Sequence, residues 1–174
     1  MAEQQLLQFD RTPKFADSVN GYVVAIGSQW ILVAVAADGG YFDGHAALRL
    51  GDLRAIRKDE TFEPILRRQP EWPPTTPRPD INLDSVGELL MTVGSHDSLV
   101  GIEKENEFND LWIGVVRFVT KKHVALHEIN PQARWHPAAL GYKLKSITKV
   151  TEGSRYQGAL REVAPPTPDE KTNT

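Results

Sequence analysis

The sequence predicts a mainly β protein built as two tandem five-stranded small β-barrels with short flanking helices. Three observations carry that expectation. Short runs rich in Val, Ile, Leu and aromatics alternate with polar or glycine-containing breaks, which is the pattern of strands. The first part of the chain matches a later part when it is slid by 93 positions. A proline-rich stretch, QPEWPPTTPRPD, separates the two.

At that offset Leu6 meets Leu99, Phe9 meets Ile102, Phe15 meets Phe108, Asp17 meets Asp110, Gly21 meets Gly114, Val23 meets Val116 and Ile31 meets Val124. After one inserted residue the match resumes: Leu50 with Leu144, Leu53 with Ile147, Ile56 with Val150, Phe62 with Tyr156 and Leu66 with Leu160. Few residues are identical, but the apolar positions and the glycine keep register, which gives two copies at about 5–69 and 98–163. The expected division is 1–69 for the first barrel, 70–83 for the linker, 84–163 for a short helix plus the second barrel, and 164–174 for a tail.

In the first copy the strands are LLQF, GYVVAIG, WILVAVA, AALRL and LRAIRK. A helical turn follows in TFEPILRR, where Thr61 can cap and Pro64 sits in the first turn at little cost. After the linker, DSVGELLMTVG repeats its apolar residues at helical spacing behind an Asp84 or Ser85 cap. The second copy then reads SLVGIEK, WIGVVRFV, HVALHEI, LGYKLK and ITKVT, and ends in SRYQGALREV, a helix that Gly158 weakens. The tail, APPTPDEKTNT, has no apolar periodicity and is expected to be disordered. Five strands in about 60 residues form a sheet that sheds its edges by closing on itself, and units so small are marginal alone. The copies are therefore expected to pack on each other or on another chain.

The 174 residues carry 20 basic and 23 acidic side chains, a formal net charge of -3, so no global attraction to nucleic acid or an anionic membrane is expected. The absence of cysteine excludes disulfides and thiolate chemistry and points to a reducing, cytoplasmic setting. MAEQQLLQFDRT lacks the features of a secretory signal, and WILVAVAA is too short for a membrane helix, so no membrane association is expected.

Strand count, the helix at 84–94 and the placement of Gly114 resemble the Sm-like or SH3-like small barrel over nearly the whole chain. LWIGVVRFVTKKHVALHEINP and ITKVTEGSRYQGAL are also similar to a group of bacterial proteins that supplies no function. The Sm-like resemblance implies rings that bind single-stranded RNA through an Asp and Asn in one loop and an Arg-Gly or Lys-Gly pair in another. The second pair is missing here: Leu50-Gly51-Asp52 and Lys143-Leu144-Lys145-Ser146 stand at those turns. The family's RNA site therefore does not carry over.

The candidate sites start with Asp43, Gly44 and His45, which read as a turn ahead of AALRL in preference to an acid–base pair. His123 and His127 are four apart, but on a strand that spacing spans about 13 Å and disfavours one shared metal ion. With His136 in the following loop a metal site is the minor alternative to solvated or packed histidines, and no phosphate loop, HExxH or Ser-His-Asp order occurs. No enzyme activity, metal or cofactor is expected. Charge is uneven: Leu6–Gln69 holds 8 acids and 8 bases, and Leu99–Val163 holds 7 acids and 10 bases. Lys121, Lys122, Lys143, Lys145 and Lys149, with Trp135 and Tyr142 to stack on bases, are the candidate nucleic-acid residues. The same lysines also suit the solvated face of a half-exposed strand. Trp30 and Trp112 read as core or inter-barrel packing and Trp72 as an anchor of the linker to a barrel face, while Trp72, if exposed, joins Asp43 and His45 as the candidate partner surface. The leading expectation is a non-enzymatic interaction module that meets another protein or a second copy as a homodimer, with nucleic-acid binding by the second barrel as the alternative.

Overall fold

The computed structural model describes residues 4–14 and 16–168. Phe15, the side chains of His96 and Phe108, and residues 169–174 of the expected tail lie outside the described residues. The chain runs β1 (Leu7–Arg11), β2 (Val19–Ile26), β3 (Trp30–Ala37), β4 (Tyr41–Arg49), β5 (Leu53–Lys58), α1 (Glu63–Leu66) and α2 (Val86–Val93). It continues as β6 (Leu99–Lys104), β7 (Glu107–Val119), β8 (His123–Glu128), β9 (Leu140–Lys143), β10 (Ile147–Glu152) and α3 (Arg155–Val163).

The mainly β class is present, and all ten strands join one open antiparallel sheet in the order β5-β1-β2-β3-β4-β10-β6-β7-β8-β9. The sheet takes in both of the five-stranded runs expected from the sequence. The joint is β4 against β10, with Leu48 opposite Lys149, Ala47 opposite Val150, Ala46 opposite Thr151 and His45 opposite Glu152. An edge strand carries a row of unpaired backbone groups, and pairing these two edges satisfies both.

Each five-stranded run has the same pairing. Leu7 faces Gly21 and Gly21 faces Val35 in the first; Val100 faces Gly114 and Gly114 faces Glu128 in the second. Bulges fall between Val23 and Ala25 and between Val116 and Phe118. Gly21 and Gly114 are fixed by close approach: a Cβ would lie 2.2 Å from the Ala34 carbonyl oxygen or 2.3 Å from that of His127.

Helix α2 forms where the apolar spacing predicts, and Ser85 is its cap, accepting from the Glu88 N–H at 3.2 Å. Asp84 instead accepts from the Ser28 N–H at 2.8 Å. Leu89, Leu90 and Val93 pack with Val100, Ile102, Leu126, Ile147 and Val150, and Trp30, Leu32 and Ala47 of the first run join the same core. Phe9, Val19, Ile31, Val33, Ala46 and Leu48 form a second core within the first run. Helix α3 has a full capping box from Ser154 and Gln157. Helix α1 is a single turn capped by Phe62 without a side-chain hydrogen bond, so Thr61 does not take the capping role expected of it; Pro64 sits in its first turn.

The proline-rich stretch lies against the sheet. The Pro74 carbonyl accepts from Gln4 at 3.1 Å, and the Leu83 carbonyl accepts from the Trp30 N–H at 3.0 Å. Of the expected tail, the Pro165 and Pro168 carbonyls accept from Trp135 and Arg117, and Thr167 accepts from Arg161.

Two glycine substitutions separate close approach from open space. Gly114→Ala should lower unfolding free energy in urea by about 2 kcal/mol or more, because backbone must move. Gly158→Ala, inside α3 with nothing within 4 Å of the added carbon, should raise it by about 0.5–1 kcal/mol.

Candidate functional site

Asp43, Gly44 and His45 lie within β4, not in a turn before it. His45 faces Ala34 and Phe42 faces Ala36, so Asp43 and Gly44 stand together opposite Val35 as a bulge. Gly44 has φ +72, and a Cβ there would come within 2.4 Å of the Glu152 carbonyl oxygen. The bulge thus lets β4 ride close to the end of β10. It also aims the flanking side chains at different partners. Asp43 Oδ1 accepts from the Arg155 N–H at 2.6 Å, at the start of α3. His45 Nε2–H donates to the Thr75 carbonyl at 2.9 Å, and burial lowers its pKa against that hydrogen bond. These contacts fasten α3 and the proline-rich stretch to the joint.

Trp72, the other candidate for a partner surface, packs edge-on to Tyr22 with ring centroids 5.1 Å apart, and the Arg67 guanidinium covers it at 4.7 Å. It belongs to a small core with Leu6, Tyr22, Leu66 and Phe62. Burial raises the Tyr22 pKa to about 12, with Glu63 acting in the same direction.

The candidate nucleic-acid residues divide. Tyr142 is buried, its hydroxyl donating to Glu128 and its ring 6.4 Å from that of Trp112. Trp135 donates to Pro165 and lies edge-on to His127 at 5.7 Å. Both rings are engaged within the fold. Lys149 is 15% exposed and pairs with Glu103 at 2.9 Å. The remaining four converge: Lys121, Lys122, Lys143 and Lys145, with His123 and Leu144, line a cleft of about 380 Å³ where the β7–β8 turn meets the corner after β9. All four lysines are exposed. Met91, 48% exposed, lines an adjoining depression with Val119, Lys121 and Lys145.

His123 and His127 occupy a strand, as the pattern HVALHEI predicts. His127 donates from Nε2 to the His136 carbonyl at 2.8 Å and accepts from Arg117 at Nδ1, 3.2 Å away. Among the described residues, no group of three or more His, Asp or Glu side chains could hold a metal ion. No helix there is long and apolar enough to cross a membrane.

Sequence reasoning missed the most buried charge among the described residues. Glu103 on β6 has a fully buried side chain, and Arg11 of β1, 2% exposed, grips it with both terminal nitrogens at 2.6 and 3.1 Å. Thr148 donates to the same carboxylate at 2.8 Å, and Lys149 pairs with it. Burial alone would raise the Glu103 pKa, but Arg11 and Lys149 outweigh it and bring the group to about 2. Arg11 is held in turn by the Asp17 carbonyl at 3.0 Å. This cluster locks the first run to the second. Comparison with protein-family models, curated proteins and solved structures found no match for the chain.

The carboxylate makes stability depend on acid. Because its folded pKa lies below the ordinary 4.5, its contribution is complete above that value and is lost as pH falls toward about 2. Glu103→Gln should cost roughly 3–5 kcal/mol in urea unfolding at neutral pH, since Arg11 and Lys149 stay charged and one stays buried. The variant should also show a flatter dependence of stability on pH between those limits.

Proposed function

We propose that the chain is a non-enzymatic protein-interaction module of a bacterial cytosol, built from two duplicated small barrels of the Sm-like or SH3-like kind fused through one ladder. The observation that carries this reading is that, among the described residues, the ten-stranded ladder ends on two unpaired edges, β5 and β9. Such edges recruit another strand by main-chain hydrogen bonds, with neighbouring side chains giving specificity. The matching registers of the two runs support duplication, because bulges and glycine contacts recur at the same offsets. The side chains that first suggested catalysis, Asp43 and His45, are spent on fastening α3 and the proline-rich stretch.

A second reading, nucleic-acid binding, is favoured by one observation: four exposed lysines share a cleft. Phosphate contacts impose a steep salt dependence. Changing Lys121, Lys122, Lys143 and Lys145 to Glu should abolish retention of single-stranded RNA at low salt if that reading holds. Equal retention by the changed chain removes it.

The interaction reading is tested by capture from lysate of the source cells. A variant carrying Ile56→Glu and Gly141→Glu places charge on both edges at exposed positions, and Gly141 has open space around the added carbon. The unaltered chain should retain a protein that the doubly charged chain loses. Identical retention by both contradicts the reading.

A further inference from the structure

The same corner occurs twice in the molecule, and one of the two is filled. In the first run the Gly27 N–H donates to the Trp30 carbonyl at 2.9 Å and the Leu50 N–H to the Gln29 carbonyl at 2.9 Å. In the second the Thr120 N–H donates to the His123 carbonyl at 2.8 Å and the Leu144 N–H to the Lys122 carbonyl at 2.9 Å. The first corner is filled by Leu83 and Asp84, which precede α2. The Asp84 carboxylate accepts from the Ser28 N–H at 2.8 Å, and the Leu83 carbonyl accepts from the N–H groups of Gln29 and Trp30 at 3.3 and 3.0 Å. The Ser28 hydrogen bond holds the Asp84 carboxyl below its usual range. Within this chain, such a turn is thus a receptor for a carboxylate.

The second corner has the same turn without that segment. Thr120 holds the place of Gly27, where an added carbon would lie 2.5 Å from Leu83. Its hydroxyl oxygen accepts from the N–H groups of Lys122 and His123 at 3.3 and 3.0 Å, the two that correspond to Gln29 and Trp30. The Lys121 N–H, in the place of Ser28, has no acceptor among the described residues. Charge differs as well. The first corner has Arg49, already paired with Asp52 and Glu105. The second has Lys121, Lys122, Lys143 and Lys145, all exposed, and none is paired with a carboxylate among the described residues. Beside them, Met91, Val119 and Leu144 give the adjoining depression an apolar side.

We infer that this second corner receives an acidic segment of a partner protein, with a carboxylate on the Lys121 N–H among the four lysines and a neighbouring apolar side chain on Met91 and Val119. The inference rests on the interaction-module reading and names the chemistry of one partner. An acidic peptide fits better than a nucleic acid. No Phe, Tyr or Trp lines either hollow, so bases find no such ring to stack on, whereas a methionine adapts to varied apolar side chains. Glu88 lines the depression but not the cleft, which keeps the acid at the lysine end. Exposed ion pairs are individually weak and screened by salt. Selectivity therefore comes from the open turn amide and the apolar contact.

Two measurements on the purified full chain decide it. Fluorescence polarisation of a labelled peptide, Glu-Asp-Leu-Asp-Glu, should show saturable binding at low salt that added salt weakens. Replacing its acids by Gln and Asn should abolish binding, and replacing its Leu by Ser should weaken it by about fivefold or more. Lys121→Glu with Lys145→Glu should abolish it, whereas Lys14→Glu with Arg54→Glu, which reverses two exposed cations of the first run, leaves it unchanged. In amide NMR the Lys121 resonance should move most as the peptide is added, and those of Lys122 and His123, already bonded to Thr120, should move less. Absence of binding, binding indifferent to the Leu, a Lys121 amide that stays in place, or single-stranded RNA that the peptide cannot displace from the cleft overturns the inference. If edge-dependent capture of a protein persists when the peptide fails to bind, the interaction reading stands and only this docking surface falls.

Discussion

The structure depends on the pairing of β4 with β10, locked by the carboxylate of Glu103. Main-chain hydrogen bonds join the two runs along four residue pairs, and a bidentate ion pair between residues 92 positions apart holds their far side. An isolated five-stranded run would leave the buried faces of Trp30, Leu32 and Ala47 without cover. Pairing the runs supplies that cover from α2, β6, β8 and β10 in one step. A buried ion pair is weak evidence for added stability over an apolar contact. Its strength here is specificity, because a slipped joint would strand Arg11 or Glu103 without its partner.

The joint also explains why the linker does not behave as a free spacer. His45 anchors Thr75, Arg78 donates to the Thr92 carbonyl at 2.7 Å and pairs with Glu152 at 2.7 Å, and Leu83 receives the Trp30 N–H. Burial raises the Glu152 pKa despite that pairing. The residues that first drew attention as chemistry, Asp43 and His45, are therefore fasteners of one edge-to-edge contact. Trp135 and Tyr142 are likewise engaged by backbone and carboxylate acceptors, which leaves the lysine cleft as a charged surface without base-stacking rings from those two residues.

Much of the fold is legible locally. The strand runs, the Ser85 cap, the Ser154 helix and the paired glycines all follow from alternation, spacing and side-chain type within a few residues. The start of β4 is not, because Asp-Gly is turn chemistry by sequence and becomes a bulge only when β10 lies alongside to receive it. The Glu103 cluster is not legible either. In LVGIEK the carboxylate is one charge at the end of an apolar strand, and its cation comes from β1 of the other run. Thr61 lost its capping role because α1 begins only at Glu63, with Phe62 before it. The lysine cleft was legible as charge imbalance, but only the fold separates Lys149, half-buried and paired with Glu103, from the four that share solvent.

The central claim is that one edge-to-edge joint, locked by Glu103, makes the two runs a single unit. Amide hydrogen exchange reads the backbone groups of that joint directly. The account predicts that 45–48 and 149–152 exchange slowly in the unaltered chain and become faster together in Glu103→Gln, while 53–58 and 140–143, at the ends of the sheet, exchange faster than the joint in the unaltered chain. Exchange at the joint that is the same in Glu103→Gln as in the unaltered chain would contradict it.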